Sequence, residues 1–219
     1  MPELVAIDHE NLSNTVYAAL CDALITGKFQ PGERLRIREI ADQLGTSVTP
    51  VRDAILRLTH DEALVFRSPR DIRIPVMSEQ KFVEIRAIRL RLEALGAETA
   101  AQLATTEDIQ TLESILADCE AAALAQNHRR SVELHQAFHF KVCSIASLPV
   151  LHGILRRIWL QMGPMMLAAS ADTGGTLIQR HAPIIDALRS HDSGAAANAI
   201  RDDIMFGGKA FINHIHTTN

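Results

Sequence analysis

Aromatic residues, cysteines and long apolar runs are all scarce in this sequence of 219 residues. Aromatics make up 4% of the chain although 47% of its residues are hydrophobic, and a core of Ala, Leu and Ile favours helices over sandwiches or barrels. The three cysteines, Cys21, Cys119 and Cys143, lack CxxC spacing, which argues against disulfides and a cysteine zinc site. No apolar run reaches the ~18 residues of a membrane span, and MPELVAIDHE does not resemble a signal peptide. We therefore expect a cytoplasmic protein that makes no membrane contact.

The net charge of −4 does not by itself indicate a nucleic-acid partner. The first third of the chain also holds slightly more acidic than basic side chains. Any prediction of DNA binding must therefore depend on where individual basic residues lie.

Residues 1–76 show three short helical patterns followed by two short strand patterns. The helical patterns cover residues 13–27, 35–45 and 47–58, with Ser47 or Thr49 as the cap of the third. The strand patterns cover 64–67 and 72–74, and a turn at 68–71 separates them. This order predicts a winged helix-turn-helix domain, with three helices and a small β-hairpin.

Residues 77–219 show helical patterns only, after a linker at residues 75–78. We expect six helices at about 78–104, 106–126, 129–146, 149–170, 175–190 and 193–214, with ends uncertain by ~2–4 residues. The prediction is therefore a mostly α protein: a winged helix-turn-helix domain at 1–76, followed by an all-α helical bundle at 77–219.

The first domain resembles the DNA-binding domain of GntR-type transcription regulators. The strings GKFQPGERL at 27–35, REIADQLG at 38–45 and SVTPVRDAILRL at 47–58 carry this resemblance. It implies double-stranded DNA as partner, and a homodimer that reads a pseudo-palindromic operator. Repression relieved by an effector is the commoner logic of this family.

The N-terminus of the third helix is the predicted major-groove contact, because free N–H groups there attract phosphate. The resemblance also places the wing along the minor groove. Val48 stands where the family usually has Arg, and it can contact a thymine methyl. The predicted DNA-binding residues are Arg38, Ser47, Val48, Thr49, Arg52, Arg67, Arg70 and Arg73.

The second domain resembles the FCD (FadR-type) effector domain in its VanR-like six-helix form. The sequence from Arg89 to Glu93 matches the R-x-x-L-E of that domain, and Phe138-His139 matches a later motif. The resemblance implies that a small ligand bound by the helical domain changes the affinity for DNA.

Four metal-capable side chains are predicted to face the interior of the bundle from three helices. His135 and His139 share one helix face, whereas His181 and Asp203 lie in the apolar stripes of two later helices. Metal-binding FCD domains use Asp-x-x-x-His and two later histidines, so the first and last ligands look exchanged here. The set suits Zn²⁺, Ni²⁺ or Mn²⁺. The alternative is a pair of core histidines bonded to backbone carbonyls or to Asp203.

Two arginines are candidate contacts for an anionic effector. Arg89 lies in an apolar stripe, and the matching FCD residue is near the effector pocket; Arg86 is a weaker candidate. We expect a small carboxylate or hydroxy-acid near the metal. The alternative for Arg89 is an internal ion pair with Glu93.

An enzyme is the main alternative from another class. The run from His135 to His139 resembles the HExxH helix of a metal-dependent hydrolase, but Gln136 replaces the glutamate that would act as general base. We therefore expect no enzymatic activity. A third interpretation is a ligand-binding protein that no longer binds DNA, which the net acidity, Val48 and a wing about one residue shorter than is usual in the family would favour.

Overall fold

The structure is a computed structural model and describes residues 10–172 and 180–218. The first part, called the head here, contains α1 (Glu10–Ile25), β1 (Arg34–Leu35), α2 (Ile37–Gln43), α3 (Val48–His60), β2 (Val65–Ser68) and β3 (Asp71–Arg73). The second part, called the bundle, contains α4 (Glu79–Leu103), α5 (Thr106–Leu124), α6 (His128–Ile145), α7 (Pro149–Asp172), α8 (Ala182–Arg189) and α9 (Ser193–Thr218).

The head has the predicted three helices and wing, which confirms the fold class. One strand was not predicted: β1 pairs antiparallel with β3, so the sheet has the order β1-β3-β2 rather than being a simple hairpin. A strand of two residues is too short to show alternation in the sequence. The four side chains of α3 that were expected to face inward, Val51, Ala54, Ile55 and Leu58, are buried, and Pro50 is buried beside them.

The bundle has the predicted six helices, and side-chain caps explain where two of them begin. The Ser78 hydroxyl accepts a hydrogen bond from the backbone N–H of Lys81 at the start of α4. Thr105 and Asp108 form a reciprocal capping box at the start of α5. The helix expected at 175–190 begins at Ala182 in the described part, and residues 173–179 lie outside it.

The head packs directly on the bundle. Leu160 of α7 belongs to the same buried cluster as Leu20 and Leu24 of α1 and Ile55 of α3. A shared core of this kind joins the two parts through apolar contact rather than through the linker alone. Among the described residues, no helix has the length and apolarity that a membrane span requires.

Candidate functional site

The amino end of α3 is exposed, and the side chains of Ser47, Thr49 and Arg52 make no hydrogen bond or ion pair with other described residues. Ser47 is the cap residue, but its hydroxyl makes no capping hydrogen bond. Thr49 and Arg52 are exposed, whereas Val48 is half-buried and packs against the core of the head. Arg38 and Arg52 have no ion-pair partner in the part of the chain that the structure describes. Their charges are therefore available to a ligand.

A groove of about 590 Å³ runs between the start of α2, the start of α3 and the wing. Five arginines line it: Arg34, Arg36, Arg38, Arg52 and Arg70. Sequence reasoning missed Arg34 and Arg36, although the spacing R-x-R-x-R at 34–38 was a usable signal. Glu39 also lines the groove and pairs with Arg36 at 2.5 Å. The groove is basic even though the head as a whole is not, so a phosphate backbone would find local positive potential there.

The wing arginines are less free than the sequence suggested. Arg73 pairs with Asp71 at 2.7 Å, and Arg67 lies 3.9 Å from the same carboxylate. Arg70 lies at the turn, where its carbonyl oxygen accepts a hydrogen bond from Arg34. Of the three, Arg70 alone lines the groove beside Arg52.

Three buried histidines converge inside the bundle. His135 and His139 come from α6 and His181 from the cap position of α8, and one ring nitrogen of each lies within 4.8 Å of the others. The ring of Phe138 stacks on His181 at 4.1 Å between ring centres and fixes the plane of that imidazole. The structure thus brings the three predicted histidines together.

Asp203 of α9 lies beside this cluster, with its carboxylate 3.2 Å from His139 Nε2 and 3.6 Å from His181 Nε2. Even so, four buried imidazole nitrogens have no well-directed hydrogen bond among the described residues. They are His135 Nδ1, His139 Nε2, His181 Nδ1 and His181 Nε2. Buried polar atoms without partners are costly, and this is the observation that a core histidine pair alone does not account for.

Glu93 of α4 holds the other side of His139. Its Oε2 lies 2.7 Å from His139 Nδ1, and its Oε1 accepts a hydrogen bond from Arg89 Nε at 2.5 Å. The guanidinium of Arg89 also lies 4.4 Å from the ring centre of Trp159. The predicted effector residue Arg89 therefore already has an anionic partner, as the ion-pair alternative expected, and Glu93 was missed as part of the site.

The charges of the cluster are unevenly distributed. Burial and the two neighbouring imidazoles lower the pKa of His135 well below its usual value, and burial lowers that of His181 to about 4. Burial would also lower the pKa of His139, but the carboxylates of Glu93 and Asp203 raise it to about 9. Two imidazoles are thus neutral at pH 7, the form in which histidine binds a metal.

A small cavity of about 20 Å³ connects the cluster to the other predicted effector residue. Arg86, Arg89, His135 and Asp203 all contribute to its lining. The guanidinium of Arg86 lies 5.7 Å from the ring centre of Phe82, which also lines the cavity. The cavity has room for about one water molecule, so an organic effector would need the bundle to open.

Sequence models of two known families match the chain. The FCD domain matches residues 84–205, and the bacterial regulatory proteins of the gntR family match residues 12–73. The chain belongs to the GntR family.

Similar proteins agree with that assignment. The chain is 31% identical over 182 residues to the probable D-xylose utilization operon transcriptional repressor of Paenarthrobacter nicotinovorans, covering 80% of this chain and 77% of that one. It is 29% identical over 164 residues to the HTH-type transcriptional regulator McbR of Escherichia coli K12, covering 75% and 74%. The solved structure of E. coli McbR/YncC shares the fold, with a TM-score of 0.86 at 23% identity over 99% and 100% of the two chains.

As a GntR-family protein with an FCD domain, the chain is a transcription regulator. The enzyme alternative is rejected, because the matching domains and relatives are regulators. The sequence resemblance to GntR and FCD proteins is confirmed.

Proposed function

We propose that this GntR-family regulator is a homodimeric repressor that binds a pseudo-palindromic operator and responds to a divalent metal and a small carboxylate. The observation that carries the proposal is the buried cluster of three histidines, in which four ring nitrogens have no well-directed hydrogen bond among the described residues. The proposed domains are 1–76 for DNA and 77–219 for metal and effector. Such a regulator acts in the cytoplasm, where the DNA is.

DNA binding would use the amino end of α3, the arginine groove and the wing. Arg52 is exposed one turn into α3 and can reach a guanine or a phosphate, while Arg38 contributes a second free charge. Ser47 and Thr49 offer hydroxyls, and Val48 offers an apolar contact. Arg67, Arg70 and Arg73 would follow the wing, although Asp71 neutralises part of their charge.

The residues present fit a divalent metal. His135, His139, His181 and Asp203 would hold it, and three nitrogens with one carboxylate suit Zn²⁺, Ni²⁺ or Mn²⁺. Glu93 would accept a hydrogen bond from Nδ1–H of His139 and so hold the proton on Nδ1, while the bound metal would displace the proton from Nε2. When bound, the metal supplies Lewis-acidic positions that a carboxylate oxygen can occupy.

The effector would be a small organic acid that enters beside Arg86. That guanidinium lines the cavity at the cluster and has no carboxylate partner among the residues that the structure describes. Arg89 would take part by releasing the carboxylate of Glu93 and binding the carboxylate of the effector in its place. Because an incoming carboxylate would compete for Arg89, it would also change the contact between Glu93 and His139.

Elemental analysis of the purified protein measures whether a metal is bound. A thermal-shift titration with chelator measures how much the bound metal stabilises the fold. We expect close to one metal per chain and a fall in melting temperature after chelation. Carboxylates and sugar acids added to the metal-loaded protein should then raise the melting temperature. If chelator changes neither the stability nor any response to carboxylates, the metal part of the proposal is wrong.

A further inference from the structure

One hydrogen bond crosses directly from the helix of the histidine cluster to the head. Gln136 of α6 is 2% exposed, and its Nε2 donates to the carbonyl oxygen of Ile25. Ile25 is the last residue of α1, and the final carbonyls of a helix have no partner within it. The amide of Gln136 therefore completes the end of a helix that belongs to the head.

The same end of α1 rests on the backbone of α7. A Cβ at Gly163 would lie 2.7 Å from Ile25 Cα and would collide with the carbonyl oxygen of Leu24. Gly27, just beyond α1, has φ +66°, and a Cβ there would lie 2.8 Å from Leu167 Cβ. The backbone at the end of α1 thus lies directly against α7, with no space for a side chain between them.

Helix α3, the proposed DNA-reading helix, is tied to the middle of α1 and to α7. Asp61, its carboxyl-terminal cap residue, accepts a hydrogen bond from Tyr17 of α1 at 2.7 Å. From α7, Arg157 pairs with the Asp61 carboxylate at 2.5 Å, and Gln161 donates to the Asp61 carbonyl at 3.2 Å. A movement of α1 relative to α7 would therefore tilt α3.

Gln136 is placed to transmit such a movement from the cluster. It directly follows His135 and lies three residues before His139, on the same buried stretch of α6. A rearrangement of those histidines would displace the peptide that carries Gln136, and its amide would pull on or release α1. We propose that Gln136 is the positioning residue that couples the histidine cluster to operator binding; this inference rests on the proposed function.

The test uses Gln136→Met in the full chain, because methionine keeps the approximate length and volume but cannot donate to Ile25. Operator affinity is measured by fluorescence anisotropy in chelator-treated protein and again with Zn²⁺ alone, on a DNA fragment selected by the wild type. Zn²⁺ affinity of the DNA-free protein is measured separately. Gln102→Met is the matched control, because the Gln102 amide bonds Ser193 within the bundle.

We expect Zn²⁺ to change the operator affinity of the wild type by about five-fold or more. The Gln102→Met control should show the same change. Gln136→Met should keep its Zn²⁺ affinity and lose this dependence. Gln136→Leu provides a second route if Gln136→Met fails to fold: leucine is also apolar and close to glutamine in volume, it removes the amide that donates to Ile25, and the same loss is expected.

Full Zn²⁺ dependence in these variants would overturn the coupling role while leaving the metal site intact. Absence of any Zn²⁺ effect in the wild type would overturn the coupling together with metal regulation. The proposal that the head binds DNA would stand after either result, because the Arg52→Ala variant tests it separately.

Discussion

His139 of α6 and Glu93 of α4 are in direct contact, with Nδ1 and Oε2 2.7 Å apart and both side chains almost fully buried. The contact fixes which nitrogen of His139 points to His135, His181 and Asp203. The same carboxylate holds Arg89 at 2.5 Å, so one buried acid links the proposed metal site to a proposed effector residue.

Replacing Glu93 by Gln should weaken metal binding by about 10- to 100-fold, because the Glu93 carboxylate, which contacts Nδ1 of His139, orients and polarises that ligating imidazole. The variant should also be destabilised by about 3–5 kcal/mol, since Arg89 would become a buried charge without its partner. Competitive titration with a fluorescent Zn²⁺ chelator and urea unfolding measure the two effects. Unchanged Zn²⁺ affinity would show that Glu93 serves the fold only.

Replacing His139 by Ala should remove the bound metal, because this imidazole lies between Glu93 and Asp203 at the centre of the cluster. Elemental analysis after gel filtration is the measurement. His60→Ala is the control, since His60 is exposed on the head and should leave the metal content unchanged. Equal metal in both variants would place the ion elsewhere.

Replacing Arg52 by Ala should weaken operator binding by about 1–3 kcal/mol per half-site, because the side chain is exposed and unpaired at the groove. The melting temperature should not change. Arg129→Ala removes the same charge from an exposed position on the bundle and serves as the control. A mobility-shift titration in which both variants bind like the wild type would refute the assigned DNA surface.

Replacing Glu39 by Gln should strengthen DNA binding, because Glu39 is the only acid among the described residues that line the groove, and its loss frees Arg36. One further neutralised phosphate would steepen the slope of log affinity against log salt by about 0.9. Anisotropy titrations at several salt concentrations measure this slope. A slope equal to that of the wild type would show that Arg36 does not reach the DNA.

The sequence was sufficient for the fold because helical stripes and caps are local signals. The i, i+4 spacing of His135 and His139 and the apolar neighbours of His181 and Asp203 were enough to predict that all four point inward. Their convergence could be expected, but not its distances, which depend on how α6, α8 and α9 pack.

Contacts between segments that are distant in the chain could not be predicted from the sequence. The bond from Gln136 to Ile25 spans 111 positions and that from His139 to Glu93 spans 46, and neither leaves a periodic pattern. In the sequence, Gln136 stands out only because it replaces the general base of a hydrolase motif, and Glu93 only as a possible ion-pair partner of Arg89. Tertiary packing gave both residues their roles.

Operator affinity measured with and without Zn²⁺, in the wild type and in His139→Ala, tests the central claim most directly. We predict that Zn²⁺ changes the wild-type dissociation constant by about five-fold or more and leaves that of His139→Ala unchanged. Superimposable binding curves for the wild type in chelator and in Zn²⁺ would contradict a regulator whose buried histidines control its hold on DNA.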